Sequence, residues 1–266
     1  MGKLSTAQRR DWKEHGFFIV ENFADEETCR SMQERVVELA RRADAGESIQ
    51  PAFIQAEQRI SSQAVRPEEK VSKVFRIHRE VPVFRDFACD PRLGDLMEDL
   101  LGPDIDCFLS QFIFKMPGAL GQPWHQDAFY FHFDRSPQVG VWLAVTDAEL
   151  QNGPLWVLSG SHEEPVHEVV PDAREHANFG YVEIVDHDTR AEEVVLMRAG
   201  DLLIFHSHLF HRSTDNESDQ MRAAMVYHFA SAATRDLSLE KVGFVLPNTD
   251  WMPVRRRSGG PAEGSL

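Results

Sequence analysis

The sequence predicts a mainly β protein, a barrel or jelly roll with α-helices packed outside it. Before residue 104, two segments combine helix-capping residues with apolar side chains at helical spacing. From residue 105 onward, short β-rich runs are separated by Gly, Pro and Asn, which is typical of strands joined by turns. A barrel of 266 residues is ordinary as a single domain.

Two helices are predicted in the N-terminal part of the chain. The first follows Asp25, a favourable N-cap residue, and ends near Gly46. The second begins at Asp90-Pro91, with proline at the first helical position, and ends at Gly102-Pro103. A short buried strand is predicted at 16–20, just before the first helix.

The rest of the chain divides as follows. Residues 46–70 are polar and irregular, so we expect a surface excursion or lid there. The strand-like runs are 105–116, 124–133, 139–146, 154–158, 194–197, 201–206 and 222–230. We expect a single domain over 1–254, with a helical N-terminal part of about 1–104 and a jelly-roll core of about 105–235. Residues 255–266 begin with three arginines and are expected to form a flexible tail.

Composition restricts the class of partner. With 43 acidic and 28 basic residues, the formal net charge is −15, which disfavours nucleic acid and anionic membranes as main partners. Cys29, Cys89 and Cys107 are widely spaced, so free thiols in a reducing compartment are expected. Neither a membrane span nor a signal peptide is evident, and the C-terminal Gly-Ser-Leu differs from the peroxisomal Ser-Lys-Leu signal. We expect a cytoplasmic protein that acts on a small molecule.

The segment His125-Gln126-Asp127 is the most informative in the chain. Side chains alternate between the faces of a strand, so His125 and Asp127 would point to the same side. One distant histidine added to this pair makes a 2-His-1-carboxylate set, which holds Fe(II) and leaves coordination positions open. His211 is the candidate for the third ligand.

The first pair has a competitor. The chain has 12 histidines, and composition alone predicts about one chance His-x-Asp pair. A second pair, His132 and Asp134, does occur, and on one continuous strand it would face away from the first. The turn residues Gly121-Gln122-Pro123 place the first pair at a strand entrance, where sites often form, which favours it.

The third ligand has competitors as well. His206 and His208 lie in the same segment as His211. What favours His211 is that Ser213 follows it closely and Arg222 then opens a further predicted strand.

Arg222 would share one face of that strand with Ala224, Val226 and His228. An arginine turned into a barrel is costly to bury unless an anion meets it. A dicarboxylate cosubstrate would supply that anion, since the guanidinium group matches carboxylate geometry. The alternative for Arg222 is a surface charge on an edge strand.

Several motifs follow one another in the order His125-x-Asp127, Asn152-Gly153-Pro154-Leu155, Gly160-Ser161-His162, Gly200-Asp201, His211-x-Ser213 and Arg222. Together they resemble the phytanoyl-CoA dioxygenase family, from about Gly16 to His228. The resemblance implies a double-stranded β-helix, which is a cupin-like jelly roll, with flanking N-terminal α-helices. It also implies a non-haem dioxygenase that uses Fe(II), 2-oxoglutarate and O₂. Ser159 departs from the proline that is usual in the family, which affects a turn rather than the metal site.

The resemblance implies roles for individual residues. The catalytic Fe(II) ligands would be His125, Asp127 and His211. Ser213 and Arg222 would hold the far carboxylate of 2-oxoglutarate, and Lys73 resembles the position of a further cosubstrate contact. The expected reaction oxidises, most simply hydroxylates, a C–H bond of a small molecule and releases succinate and CO₂. Because a related halogenating group replaces the carboxylate ligand with a small residue, Asp127 favours hydroxylation.

Two other functions stay open at this point. The chain could be a non-catalytic, cupin-like metal- or ligand-binding protein, or a non-oxidative metalloenzyme. A binding protein gives no reason for Ser213 and Arg222 at these positions, and a non-oxidative metalloenzyme would not use 2-oxoglutarate. The aromatic stripe Phe129, Tyr130, Phe131 and Phe133 is either a substrate-pocket wall or ordinary core packing. Substrate identity is not readable, because specificity lies in irregular loops such as 46–80 and 163–192.

Overall fold

The structure is a computed structural model that describes residues 4–188, 190–238 and 251–257. The helices are α1 (Thr6–His15), α2 (Glu26–Asp44), α3 (Pro82–Ala88) and α4 (Pro91–Leu101). The strands are β1 (Phe17–Val20), β2 (Phe53–Ala56), β3 (Val71–Phe75), β4 (Ile105–Lys115), β5 (Val139–Ala144), β6 (Leu155–Leu158), β7 (Val170–Pro171), β8 (Val182–Glu183), β9 (Glu192–Val195), β10 (Leu202–His206), β11 (His211–Ser213), β12 (Arg222–Ser231) and β13 (Met252–Arg255).

Two antiparallel sheets form the body of the described chain. The larger has the strand order β1-β10-β5-β12-β4-β3-β2, and β13 also pairs with β4. The smaller has the order β11-β6-β9, while β7 and β8 form a separate short pair. Strands that are distant in sequence therefore lie side by side, as in a jelly roll. The predicted mainly β jelly roll with N-terminal helices is confirmed.

Strand β12 shows how the two faces of the large sheet differ. The side chains that pack with the helices in the main core are Ala223, Met225, Tyr227 and Phe229. The side chains on the opposite, inner face are Arg222, Ala224, Val226 and His228. This is the shared face that the sequence predicts for Arg222, and it is turned towards a cavity between the two sheets.

The helix caps agree with the predictions. Asp25 and Asp90 each accept a backbone hydrogen bond from the first turn of α2 and of α4, at 2.8 Å in both cases. Helix α1 was not predicted, although Ser5 and Gln8 form a capping box at its start. The predicted excursion over 46–70 contains β2, which pairs with β3 and extends the large sheet.

The prediction of a strand over 124–133 is wrong. His125 makes an isolated bridge with His211, and a 3-10 turn over Asp127–Tyr130 follows it directly. The chain turns here because the amide of Ala128 donates to the carbonyl of Ser207 at 2.9 Å instead of continuing a ladder. His125 and Asp127 therefore do not share a strand face, contrary to the prediction.

The predicted tail begins too early. Arg255 ends β13 and pairs with Asp95 at 2.5 Å, and Arg257 pairs with Glu98 at 3.2 Å. The folded region thus extends beyond the predicted boundary at residue 254. The remainder of the predicted tail, 258–266, lies outside the described residues. Within the described part of the chain, no helix is both long and apolar enough to cross a membrane.

Candidate active site

A cavity of about 550 Å³ opens between the two sheets. Its lining includes each site residue that the sequence singles out, namely Lys73, His125, Asp127, His211, Ser213 and Arg222. Strands β3, β11 and β12 and the loop between β4 and β5 contribute these side chains. Sheet pairing therefore brings residues from distant parts of the chain to one cavity.

His125, Asp127 and His211 form a buried cluster whose ligand atoms all lie within 4.8 Å of one another. The backbone amide of each of the two histidines donates a hydrogen bond to the carbonyl oxygen of the other, at 3.0 Å in both cases. Oδ1 of Asp127 lies 3.7 Å from Nε2 of His125 and 3.7 Å from Nε2 of His211. The three ligand atoms thus converge on one point.

Backbone carbonyls orient both imidazole rings. Nδ1 of His125 lies 2.8 Å from the carbonyl oxygen of Pro123, and Nδ1 of His211 lies 2.9 Å from that of Leu209. A carbonyl oxygen only accepts, so Nδ1 carries the proton in each ring and Nε2 is left with a free lone pair. Burial, and then the neighbouring His211, lower the pKa of His125 to about 3, which keeps this ring neutral.

Asp127 is held by His228, a histidine that the sequence motifs do not assign to the site. Nε2 of His228 lies 2.9 Å from Oδ2 of Asp127, and both side chains are buried. Burial alone would raise the pKa of Asp127, but His211 and His228 outweigh it and hold the pKa well below its usual range. The carboxylate is therefore ionised, with one oxygen on His228 and the other facing the two Nε2 atoms.

This donor set fits a divalent metal ion. Two imidazole nitrogens and one carboxylate oxygen are the ligands of the facial sites that bind Fe(II). Partners on the far side of the ligands fix their orientation, as is usual around protein metal sites. The metal fits because the three ligand atoms lie close together and because the protonated Nδ1 atoms leave Nε2 of each histidine facing the cluster.

Arg222 forms the inner end of the cavity and is 1% exposed. Its Nη2 donates to the carbonyl of Gly153 at 2.8 Å. Its Nε and Nη1 are buried and have no hydrogen-bond partner among the described residues. Burial lowers the pKa of Arg222 to about 10, so the side chain is still a cation at neutral pH. These two unpaired N–H groups on a buried cation are donors available to an anion.

Lys115 is a second buried cation at this end, and it is not among the site residues that the sequence motifs indicate. It lies opposite Arg222 in the pairing of β12 with β4. Its Nζ donates to Oγ of Ser213 at 2.7 Å and to the carbonyl of Thr214 at 2.6 Å. Burial, and then the charge of Arg222, lower the pKa of Lys115 well below its ordinary value. A carboxylate bound beside Nζ would offset the loss of hydration and the repulsion from Arg222, and would raise the pKa of Lys115 again.

Lys73 lines the same cavity from β3. Its Nζ donates to Oε1 of Gln122 at 3.0 Å and lies 4.8 Å from the centroid of the Tyr181 ring. Its side chain is buried and its hydrogen-bond partner is neutral, whereas Lys70 on the surface pairs with Asp44 at 2.9 Å. Lys73 therefore faces the cavity with its charge, as Arg222 and Lys115 do.

The competing histidine pairs lie elsewhere. His132 is exposed, and Asp134 forms ion pairs with two arginines, one of which is Arg235 at 2.9 Å. His206 and His208 interact with each other and are not part of the cluster of ligand atoms found among the described residues. The structure thus separates these residues from the cavity.

The predicted aromatic stripe divides between two environments. Tyr130 and Phe131 line the cavity. Phe133 packs on Phe108 and Trp251, with ring centroids 5.0 Å apart in each case. Part of the stripe is thus a cavity wall, and part is ordinary aromatic packing.

Related proteins match most of the chain. Phytanoyl-CoA dioxygenase domain-containing protein 1 of Mus musculus is 27% identical over 270 residues, a match that covers 88% of this chain and 92% of the mouse protein. Peroxisomal phytanoyl-CoA dioxygenase of Bos taurus is 28% identical over 248 residues, covering 89% of this chain and 72% of the bovine protein.

Solved structures share the fold at lower identity. EctD from S. alaskensis, solved with 2-oxoglutarate and 5-hydroxyectoine, has a TM-score of 0.69 at 20% identity and covers 88% of this chain and 78% of EctD. SnoN, a non-heme alpha ketoglutarate dependent epimerase from nogalamycin biosynthesis, has a TM-score of 0.68 at 18% identity, covering 94% and 98%. These likenesses support the jelly-roll assignment.

The family model for phytanoyl-CoA dioxygenase (PhyH) matches residues 12–224. This span runs from α1 into β12 and contains the three clustered ligand residues and Arg222. The match covers well over half of the chain, and the resemblance inferred from the motifs is confirmed. The chain belongs to the phytanoyl-CoA dioxygenase family.

Proposed function

We propose that this protein is a non-haem Fe(II)- and 2-oxoglutarate-dependent dioxygenase that oxidises a C–H bond of a small molecule. The observation that carries the proposal is that one cavity contains both a His/Asp/His cluster and a buried cationic end. Metal binding alone explains the first feature, and anion binding alone explains the second. A dicarboxylate that chelates a metal requires both at once.

His125, Asp127 and His211 would hold Fe(II) through two Nε2 atoms and one carboxylate oxygen. Three protein ligands leave further coordination positions for the cosubstrate and O₂. When bound, Fe(II) and 2-oxoglutarate supply the activation of O₂ and the oxidative decarboxylation that yields succinate and CO₂. The protein contributes orientation of the ligands and a cavity that limits access of water.

Arg222, Lys115 and Ser213 would hold the far carboxylate of 2-oxoglutarate. The unpaired Nε and Nη1 of Arg222 supply charge-assisted donors, and Lys115 adds a second positive charge. Lys73 is proposed as a further cosubstrate contact, because its ammonium group faces the same cavity with a neutral partner, Gln122.

Asp127 supports hydroxylation rather than halogenation. A carboxylate oxygen fills the ligand position that a halide would need, and His228 holds that carboxylate in place. A non-catalytic metal-binding protein or a non-oxidative metalloenzyme would account for the histidines. Neither accounts for the buried pair of Arg222 and Lys115.

Succinate formation tests the proposal before the primary substrate is known. We expect slow conversion of 2-oxoglutarate to succinate that requires Fe(II) and O₂. Asp127→Ala should abolish it, whereas Asp134→Ala, which alters the other His-x-Asp pair, should leave it unchanged. Succinate formation that persists without iron, or in Asp127→Ala at the wild-type rate, would refute the assignment.

A further inference from the structure

The outer end of the cavity, which we call the mouth, is formed by the segment 53–58 and the loop 178–181. The residues of these segments that matter most here are Phe53, Gln55, Gln58, Phe179 and Tyr181. Every residue that these two segments contribute to the cavity lining is uncharged. Lys115 and Arg222, where the cosubstrate is proposed to bind, are buried, and Lys73 lies 4.8 Å from the Tyr181 ring.

Two phenylalanines of the mouth are exposed to solvent. Phe179 is 89% exposed, and Phe53 is 50% exposed. Phe53 stacks on Phe75, with ring centroids 4.9 Å apart and an interplanar angle of 12°. Exposed aromatic rings beside a cavity mark a surface that an apolar ligand covers.

The loop that carries Phe179 is anchored on both sides. The side-chain amide of Gln55 donates to the carbonyl of Phe179, and the hydroxyl of Tyr130 donates to the carbonyl of Gly180 at 3.0 Å. The buried amide of Asn178 bonds to the segment that follows β2 at 3.0 Å. Because these hydrogen bonds already hold the backbone, a ligand that covers the Phe179 ring would lose little conformational entropy in ordering the loop.

Lys73, which lies 4.8 Å from the Tyr181 ring, is proposed above as a cosubstrate contact, and the two arginines beside the mouth are already paired with carboxylates. Arg174 pairs with Asp172 at 2.7 Å, and Arg59 pairs with Asp215 at 3.1 Å. Recognition of the phosphates of coenzyme A relies on arginine or lysine donors that are available to bind them. The net charge of −15 further disfavours a polyanion at this surface.

We propose that the mouth accepts an uncharged, largely apolar small molecule that packs against Phe53 and Phe179, and not a coenzyme A thioester. This inference rests on the proposed function, because it names the substrate class of the same site. It departs from the acyl-CoA substrate that the family name suggests.

Binding of matched probes tests this inference. The protein is loaded with Zn(II), which has no redox chemistry, and saturated with 2-oxoglutarate so that the cationic end is occupied. Titration calorimetry then compares 2-naphthol, 2-naphthoate and coenzyme A. We expect 2-naphthol to bind at least about tenfold more tightly than 2-naphthoate, and coenzyme A not to bind. Phe179→Ala should weaken 2-naphthol binding roughly two- to tenfold, as expected for loss of one aromatic contact.

Val65→Ala is the matched control, because Val65 is also 89% exposed but does not line the cavity. It should leave 2-naphthol affinity unchanged. The inference is overturned if 2-naphthol does not bind, if 2-naphthoate or coenzyme A binds as tightly, or if Phe53→Ala and Phe179→Ala both keep full affinity. A separate titration of 2-oxoglutarate reports on the inner end. If 2-oxoglutarate fails to bind while the 2-naphthol results hold, the proposed function falls and the apolar mouth stands.

Discussion

Arg222 and Lys115 are directly opposed in the antiparallel pairing of β12 with β4, and both side chains are buried. Two like charges buried side by side repel each other and lose their hydration. Lys115 Nζ and Arg222 Nη2 donate to acceptors within the protein, but Nε and Nη1 of Arg222 have no partner among the described residues, so hydrogen bonds offset this cost only in part. We propose that a carboxylate of the cosubstrate completes this pair.

Removal of the arginine should weaken cosubstrate binding. Charge-assisted hydrogen bonds contribute about 1.5–3 kcal/mol each, so Arg222→Ala should raise the Kd for 2-oxoglutarate roughly tenfold or more. Titration calorimetry measures this directly. The control is Arg212→Ala, since Arg212 lies on β11, the preceding strand in the chain, but pairs with Glu192 at 2.9 Å. Equal affinities for 2-oxoglutarate in the two variants would show that Arg222 does not bind the cosubstrate.

At pH values at which the lowered pKa leaves the Lys115 amine partly neutral, cosubstrate binding should take up protons through this residue. Burial and then Arg222 lower the pKa of this amine, and Asp215 offsets the shift only in part. A carboxylate beside Nζ raises the pKa again, so the bound state holds more protons and affinity increases as pH falls towards neutral. Calorimetry in two buffers of different ionisation enthalpy counts these protons. Lys115→Met should abolish the uptake, and an unchanged proton count in that variant would contradict the assignment.

His228 should control metal affinity without binding the metal itself. His228→Ala leaves Oδ2 of Asp127 without its partner at 2.9 Å and lets the carboxylate rotate. Loss of such an outer partner costs roughly 10–100-fold in metal affinity. Competition with a chromophoric chelator measures the effect for Co(II). His228→Gln retains an N–H donor and should recover part of the affinity, whereas wild-type affinity in His228→Ala would exclude this role.

Gly153 should be required at the cationic end for steric reasons. A Cβ atom there would lie 2.5 Å from Cδ of Lys115 and 2.6 Å from the carbonyl oxygen of Thr214. Gly153→Ala should therefore lower both stability and 2-oxoglutarate affinity. Gly46→Ala is the matched control, because Gly46 has the same φ of +81° but no atom within 4 Å of the added Cβ. Left-handed backbone alone costs about 1–2 kcal/mol, so Gly46→Ala should lower the Tm modestly and leave affinity intact. Equal effects on affinity in both variants would contradict the steric explanation.

Motif spacing and strand periodicity predict a large part of this site. Arg222 and His228 share an inward face of β12 because side chains alternate along a strand, and this pattern is visible in the sequence. The proximity of His125 and Asp127 was predicted for the wrong reason. A 3-10 turn brings them together, and its hydrogen bond from Ala128 to Ser207 depends on tertiary contacts that no local pattern records.

Two residues illustrate what the sequence does not reveal. Lys115 is the last residue of β4, a position where a lysine is ordinarily exposed. The one sign that it faces the cavity is its even spacing from Gln111 and Ile113, which line the cavity from the same face of β4. The contact of His228 with Asp127 joins β12 to a loop far away in the chain and follows from packing alone. The mouth is equally unpredictable, because the loop 178–181 has no periodic pattern.

The most direct test of the proposed function is an anaerobic titration of 2-oxoglutarate into the Fe(II)-loaded protein, followed by visible absorption. We predict a weak charge-transfer band that saturates with 2-oxoglutarate. The band should be absent in His211→Ala and present in His206→Ala, which alters a histidine of the same segment outside the cluster. Absence of the band in wild-type protein that demonstrably contains iron would contradict a 2-oxoglutarate-dependent site, and so would an unchanged band in His211→Ala.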